Sequence, residues 1–199
     1  MLVKVCGLKS PEQIQTIETI ADCIGFIYYQ KSKRFVNYPP KSNQAKRVGV
    51  FVNETLEFVK AVINRDELDI VQLHGNESPT MAKKLRKHAT VIKAFGMDDE
   101  FNFRQLFDYE GKVDYFLFDT KTPLHGGSGK QFRWEILNRY NLTTPFFLSG
   151  GIKPESLEEI KALEHPSLVG IDINSGFEIE PGNKDINAVK TFIHALRNN

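Results

Sequence analysis

The stretch "LVKVCGLKSPEQIQTIETI", residues 2–20, decides the predicted fold. Its first five residues are rich in β-branched side chains and favour a short strand. Ser10 and Pro11 then provide an N-cap with proline at the first helical position, and Gln13 completes a capping-box pattern. Isoleucines follow at helical spacing, at positions 14, 17 and 20. A strand followed by an amphipathic helix is the repeating unit of α/β proteins.

The same alternation continues along the chain. The other strand-like runs are DCIGFIYY (22–29), RVGVFVN (47–53), DIVQLHG (69–75), TVIKAFG (90–96), VDYFLFD (113–119), TPFFLSGG (144–151) and SLVGIDI (167–173). Helix signals follow most of them: an N-cap at Asn53, Ser78 before Pro79, a weaker helical segment from about Glu100, and Pro154. This pattern predicts a single α/β domain over residues 1–199, and the even spacing favours a closed (β/α)8 TIM barrel over an open doubly wound sheet.

Composition excludes several function classes. The 26 basic and 25 acidic side chains give a net charge of +1, too little to attract nucleic acid or an anionic membrane. No apolar run has the length of a membrane span, and no signal-peptide pattern opens the chain. Cys6 and Cys23 make no disulfide framework, and the histidines lack metal-ligand spacing. We expect a cytoplasmic protein without metal, a monomer by default, whose partner is a small molecule.

Strand parity predicts which polar side chains meet. Because side chains alternate between the two faces of a strand, Cys6, His74, Asp119 and Asp172 share the face opposite the apolar residues. The apolar positions expected to face the helices are Val3, Val5, Val71, Leu73, Phe116, Phe118, Val169 and Ile171. The four polar residues would then face inward at the C-terminal mouth of a barrel, where enzymes of this fold place their chemistry. Lys4 shares the face of Cys6 but lies further down the strand, so we do not assign it as a partner.

Two glycine motifs, SGGI (149–152) and NSGFE (174–178), follow the seventh and eighth strands. Each alone is typical of a turn, but the pair stands where barrels bind phosphate, since glycine lets backbone N–H groups approach an anion. The predicted cradle residues are Gly150, Gly151, Ser175 and Gly176. A third glycine-rich run, KTPLHGGSGK (121–130), lacks the Walker spacing. We interpret it as a lid containing Gly126, Gly127 and Gly129, with a plain connection as the alternative.

The candidate site residues have structural alternatives. Cys6 needs a lowered pKa to act as a base near neutrality, whereas Cys23 is typical of a buried small hydrophobe. Asp119 suits a proton donor, because burial raises a carboxyl pKa, or a cap of the next loop. His74 is a candidate substrate contact whose alternative is a hydrogen bond to a loop carbonyl. Arg34 suits recognition of a carboxylate or belongs to a solvated basic turn.

Seven motifs, taken in order and spacing, resemble the phosphoribosylanthranilate isomerase family of tryptophan biosynthesis. They are VKVCGL, GFIYYQKSKRFV, VGVFVN, VQLHGNE, LFDT with GGSGKQFRW, LSGGIKPE, and GIDINSGFEIEPGNKD. The resemblance implies a cofactor-free barrel that catalyses the Amadori rearrangement of N-(5′-phosphoribosyl)anthranilate to 1-(2-carboxyphenylamino)-1-deoxyribulose 5-phosphate. It further implies that Asp119 is the general acid, Cys6 the general base and Arg34 the carboxylate partner. Asp172 would lie near the anthranilate amine, and the two glycine motifs would hold the phosphate.

Two other hypotheses keep the phosphate site. An epimerase or an indole-releasing lyase would usually need a metal or paired carboxylates in place of Cys6. A phosphosugar-binding domain without turnover would gain thermal stability from its ligand but form no product.

Overall fold

The computed structural model describes residues 1–121 and 132–198, and within them eight parallel strands close a barrel in chain order. The strands are β1 Leu2–Cys6, β2 Cys23–Ile27, β3 Lys46–Phe51, β4 Ile70–Leu73, β5 Thr90–Met97, β6 Tyr115–Thr120, β7 Phe146–Leu148 and β8 Leu168–Ile173. Pairing of β1 with β8 closes the ring. The predicted barrel is therefore confirmed, and the open sheet is wrong. A short antiparallel pair, β9 Glu178–Glu180 and β10 Asn183–Lys184, follows β8.

The helices follow the predicted alternation less closely than the strands. The α-helices are α1 Pro11–Ile17, α2 Leu56–Asp66, α3 Pro79–Leu85, α4 Leu157–Lys161 and α5 Ile186–Arg197. The 3-10 helices span Phe103–Leu106, Trp134–Arg139, Pro154–Ser156 and Ser175–Phe177. In the described part of the chain no α-helix follows β2 or β5, and the weak segment from Glu100 is one of the 3-10 helices. Among the described residues, no helix is long and apolar enough to span a membrane.

Helix starts show where local sequence signals hold. Ser10 caps α1 by accepting the backbone N–H of Gln13 at 3.4 Å. The predicted N-cap at Asn53 is wrong, because its backbone is left-handed with φ 56°. The Asn53 side chain instead accepts the backbone N–H of Asn76 at 2.6 Å, and Thr55 caps α2. Asn53 thus links two loops at the mouth of the barrel.

The interior of the barrel contains an apolar plug, distinct from the larger core between strands and helices. Its buried members are Cys23, Val48, Ile70, Ile92, Ala94, Leu117 and Phe147. Val169 also packs against this plug, although parity predicted that it would face the helices. The cause is a register shift in the pairing of β7 with β8, where Phe146 pairs with Leu168 and Phe147 pairs with Gly170. One residue of β8 is skipped, so simple alternation fails there.

Candidate active site

A cavity of about 400 Å³ contains the four side chains that parity predicted to converge: Cys6, His74, Asp119 and Asp172 all line it. Cys6, Asp119 and Asp172 belong to β1, β6 and β8, and His74 directly follows β4. Cys6 is only 4% exposed, Asp119 9% and Asp172 5%. Charges in such a site act on each other more strongly than they would in water.

A buried ion pair lies beside the cavity. Lys4 is 0% exposed, and its Nζ donates to Asp172 Oδ1 at 2.8 Å across the pairing of β1 with β8. Burial alone would lower the pKa of Lys4, but attraction to Asp172 and then to Cys6 outweighs it, so the pKa of Lys4 is raised. Lys4 was not predicted as a site residue. The signal was available in the shared strand face of Lys4 and Cys6.

The Cys6 thiol lies in a space left open by a glycine on the next strand. Gly25 is the register partner of Cys6, and a Cβ built on it would lie 2.8 Å from Cys6 Sγ. Burial raises the pKa of the Cys6 thiol above its ordinary value of 9.0, while the charges of Lys4 and Lys184 oppose that rise. The unliganded site therefore holds Cys6 as a thiol near neutral pH.

Asp119 is held by groups on both of its oxygens. Its Oδ1 accepts the backbone N–H of Thr120 at 2.8 Å, as the capping alternative anticipated. Its Oδ2 lies 3.4 Å from His74 Nε2, and His74 Nδ1 lies 2.8 Å from Gln72 Nε2. The two ring nitrogens of His74 thus face side chains, and the predicted loop carbonyl is not their partner. Asp119 keeps its cavity position with one oxygen facing an imidazole.

The two glycine motifs lie together at one side of the cavity. Gly150 and Gly151 both have left-handed backbones, with φ of 85° and 69°. A Cβ on Gly150 would lie 2.4 Å from the Thr120 backbone nitrogen, and a Cβ on Gly176 would lie 2.1 Å from the Ile152 carbonyl oxygen. Within the described residues, the N–H groups of Gly150 and Gly151 donate to no acceptor.

These two loops also supply the polar lining expected of a phosphate cradle. Ser149, Gly150, Gly151, Asn174, Ser175 and Gly176 all face the cavity. Free backbone donors and close backbone approach are the features that let such loops bind an anion.

Arg34 lines the same cavity but is paired within the protein. Its Nε donates to both Glu178 oxygens at 2.9 and 3.0 Å, and its Nη2 donates to Glu178 Oε2 at 2.5 Å. Glu178 also accepts from the buried Lys184 at 2.7 Å. Although burial opposes it, hydrogen bonds from Arg34 and the charge of Lys184 lower the pKa of Glu178. Neither Glu178 nor Lys184 was predicted from the sequence, because 144 residues separate Glu178 from Arg34.

The predicted lid, with Gly126, Gly127 and Gly129, lies outside the described residues. Within residues 1–121 and 132–198 no three His, Cys, Asp or Glu side chains group as a set of metal ligands.

Comparisons with known proteins agree along the chain. A family model described as PRAI, N-(5′-phosphoribosyl)anthranilate (PRA) isomerase, matches residues 3–195. A protein of Parabacteroides distasonis named N-(5′-phosphoribosyl)anthranilate isomerase is 48% identical over 206 residues, covering 98% of this chain and 93% of the relative. The crystal structure of phosphoribosyl anthranilate isomerase from Thermotoga maritima superposes with a TM-score of 0.83 at 35% identity, covering 99% of each chain.

A second similar solved structure is phosphoribosyl anthranilate isomerase in complex with reduced 1-(o-carboxyphenylamino)-1-deoxyribulose 5-phosphate. Its TM-score is 0.80 at 31% identity, and the match covers 99% of this chain and 98% of that one.

Proposed function

Because this chain belongs to the N-(5′-phosphoribosyl)anthranilate isomerase family, enzymes of tryptophan biosynthesis, we propose that it catalyses the Amadori rearrangement of that substrate with Cys6 as general base and Asp119 as general acid. One observation carries the assignment: the Cys6 thiol and the Asp119 carboxyl line a single cavity together with the two glycine-rich loops. The product is 1-(2-carboxyphenylamino)-1-deoxyribulose 5-phosphate.

The reaction needs proton transfers on the sugar to the ring oxygen, from C2′, to C1′ and from the C2′ hydroxyl. Asp119 gives its proton to the furanose ring oxygen while the C1′–O bond breaks, and the nitrogen lone pair forms the C=N bond of an open-chain iminium. The Cys6 thiol releases its proton to solvent, and the resulting thiolate removes the proton from C2′. The C–H electron pair forms the C1′=C2′ bond and the C=N π pair returns to nitrogen, which gives an enolamine. Tautomerisation of the enolamine adds a proton to C1′ while the C2′ hydroxyl loses its proton, which produces the ketone, so the reaction is a net isomerisation.

The surroundings of Cys6 and Asp119 match the order in which the two groups act. Cys6 rests as a thiol because burial raises its pKa. Positive charge lowers that pKa, so the cationic iminium formed in the cavity favours the thiolate at the moment when a base is needed. Asp119 becomes a carboxylate after ring opening, and the Thr120 N–H stabilises this charge at 2.8 Å. Each positioned proton transfer contributes on the order of 10²–10⁴ in rate.

Substrate binding divides between the ends of the ligand. The phosphate is assigned to Gly150, Gly151, Ser175 and Gly176, which line the cavity with their loops. The charges of Arg34, Lys184 and Glu178 leave one net positive charge, which matches one anthranilate carboxylate.

The remaining predicted contacts lie between the phosphate and the carboxylate of the ligand. Asp172, whose Oδ1 accepts a hydrogen bond from Lys4, is assigned to the anthranilate amine, and His74 is assigned to the sugar. The assignment of Gly126, Gly127 and Gly129 to a lid stays a prediction.

The test follows the fluorescence of the anthranilate group during turnover by purified protein. Cys6→Ser and Asp119→Asn should each lose turnover by on the order of 10²–10⁴. Asp99→Asn, at an exposed ion pair with Arg133, is the matched control and should keep it. Near-normal turnover in Cys6→Ser or Asp119→Asn would remove that residue from the mechanism. Thermal stabilisation by the reduced product analogue with no turnover in the wild type would favour a binding domain.

Three expectations from the sequence stay predictions: a single domain over residues 1–199, a cytoplasmic location and a monomeric enzyme. Sedimentation of the purified chain tests the last of these.

A further inference from the structure

Gln72 is a buried polar residue that the reaction scheme does not use. It is 1% exposed, lies on β4 between the plug residue Ile70 and the site residue His74, and lines the cavity. Its Oε1 is buried and accepts no hydrogen bond within the described residues. A buried acceptor without a donor destabilises the fold, whereas an apolar side chain of similar size would avoid that cost. The presence of a buried amide at this position is therefore explained by the contact of its nitrogen, Nε2, with His74.

The other end of the amide selects a tautomer of His74. An amide nitrogen carries two hydrogens and no free lone pair, so Gln72 Nε2, 2.8 Å from His74 Nδ1, donates. His74 Nδ1 must then accept, and the proton of the neutral imidazole resides on Nε2. His74 Nε2 lies 3.4 Å from Asp119 Oδ2, close to the carboxyl but without a hydrogen bond between them in the unliganded protein. The chain of contacts runs from the amide through the imidazole to the carboxyl.

We propose that Gln72 is a positioning residue that fixes His74 as the Nε2–H tautomer, so that His74 presents a donor to Asp119 Oδ2. The inference rests on the proposed function, in which Asp119 gives up a proton and becomes a carboxylate. A donor that lies 3.4 Å from that oxygen stabilises the charge as it develops by shortening this one contact. The Thr120 N–H serves Oδ1 in the same way.

The first experiment is ¹⁵N NMR of the His74 ring in the unliganded protein, which is independent of turnover. The wild type should show a protonated Nε2 and an unprotonated Nδ1. Gln72→Met removes the donor and should give a mixture of tautomers. Gln72→Glu replaces the donor by an acceptor and should move a proton onto Nδ1. Gln15→Met and Gln15→Glu, on the exposed face of α1, are the matched controls and should leave the ring unchanged.

The second experiment measures kcat and the affinity for the reduced product analogue in the same variants. Both Gln72 variants should lose about tenfold in kcat, less than the order of 10²–10⁴ expected for loss of the acid itself, and should keep the affinity. A merely structural role would lower both together.

The outcomes separate this inference from the proposed function. A wild-type His74 protonated on Nδ1, or Gln72 variants with unchanged kcat while Asp119→Asn is inactive, would overturn the role of Gln72 alone. Full turnover in Asp119→Asn would overturn the proposed function and this inference with it. If one Gln72 variant fails to fold, the other carries both measurements.

Discussion

The two cysteines lie on neighbouring strands inside the same barrel, but their surroundings differ. Cys6 ends β1 and lines the cavity, whereas Cys23 begins β2 and belongs to the apolar plug. Lys4 is the register partner of Cys23, yet its ammonium binds Asp172 on the side of the mouth. Both thiols are free and nearly buried, at 4% and 5% exposure.

The difference teaches that position along a strand, more than burial, separates a reactive group from a packed one. Burial raises the pKa of Cys23 to about 11, and its neighbours are mostly hydrocarbon. Burial also raises the pKa of Cys6, where Lys184 adds to the opposing charge of Lys4 that both thiols share, and a cavity of about 400 Å³ gives a ligand access to Cys6. The polar residues at the C-terminal mouth of the barrel supply the chemistry, and the apolar plug below them stabilises the fold.

Alkylation should show the largest contrast between the two thiols. Iodoacetamide reaches Cys6 through the cavity, whereas Cys23 is reached only when the plug opens. Opening of a core costs most of the free energy of unfolding, so Cys6 should react on the order of 10³-fold faster in the native protein. Peptide mass spectrometry measures both rates. Similar rates at native stability would erase the proposed distinction.

A side chain at Gly25 should damage the mouth without touching any charged group. Gly25→Ala places a Cβ 2.8 Å from Cys6 Sγ and 3.1 Å from Cys6 Cα, so the thiol must shift. A displacement of about 1 Å can cost on the order of 10²-fold in turnover. Gly111→Ala is the control: nothing lies within 4 Å of the added atom, and although the left-handed φ of 71° lowers the stability of this variant, it lies away from the cavity and should keep kcat. Equal kcat in both variants would show that the thiol position is not critical.

Removal of the Lys4 charge should shift the pH dependence of kcat/KM. The Lys4 charge lowers the Cys6 pKa, so Lys4→Met raises it further. Since the thiolate is the active form, the limb of kcat/KM that rises with pH should move to higher pH. A Cys6 pKa higher by about one leaves about tenfold less thiolate at neutral pH, and the lost rate returns in base. Lys46→Met, at an exposed ion pair with Asp69, should leave the limb in place. A loss of rate that does not recover with pH would contradict this role.

Local patterns predicted the barrel because they recur in every unit. β-branched runs and proline-led caps identified the eight strands and the starts of α1 and α3. Alternation along β1, β4, β6 and β8 then placed four polar side chains in one cavity. That inference needs only the two-residue period of a strand and the common polarity of parallel strands.

The misses came from contacts that join distant parts of the chain. Nothing near Arg34 indicates Glu178, which becomes its partner through the loop after β8. Asn53 resembles a helix cap, but its side chain bonds across to Asn76. The register shift at β8 turns Val169 inward, which no pattern within its own strand indicates.

The most direct measurement compares turnover of Cys6→Ala with turnover of Cys23→Ala by the loss of anthranilate fluorescence. Both changes remove one sulfur from a nearly buried site on neighbouring strands, so a general packing effect should act on them alike. The proposed mechanism predicts a loss on the order of 10²–10⁴ for Cys6→Ala and near wild-type turnover for Cys23→Ala. Comparable turnover in the two variants would contradict the assignment of Cys6 as the base.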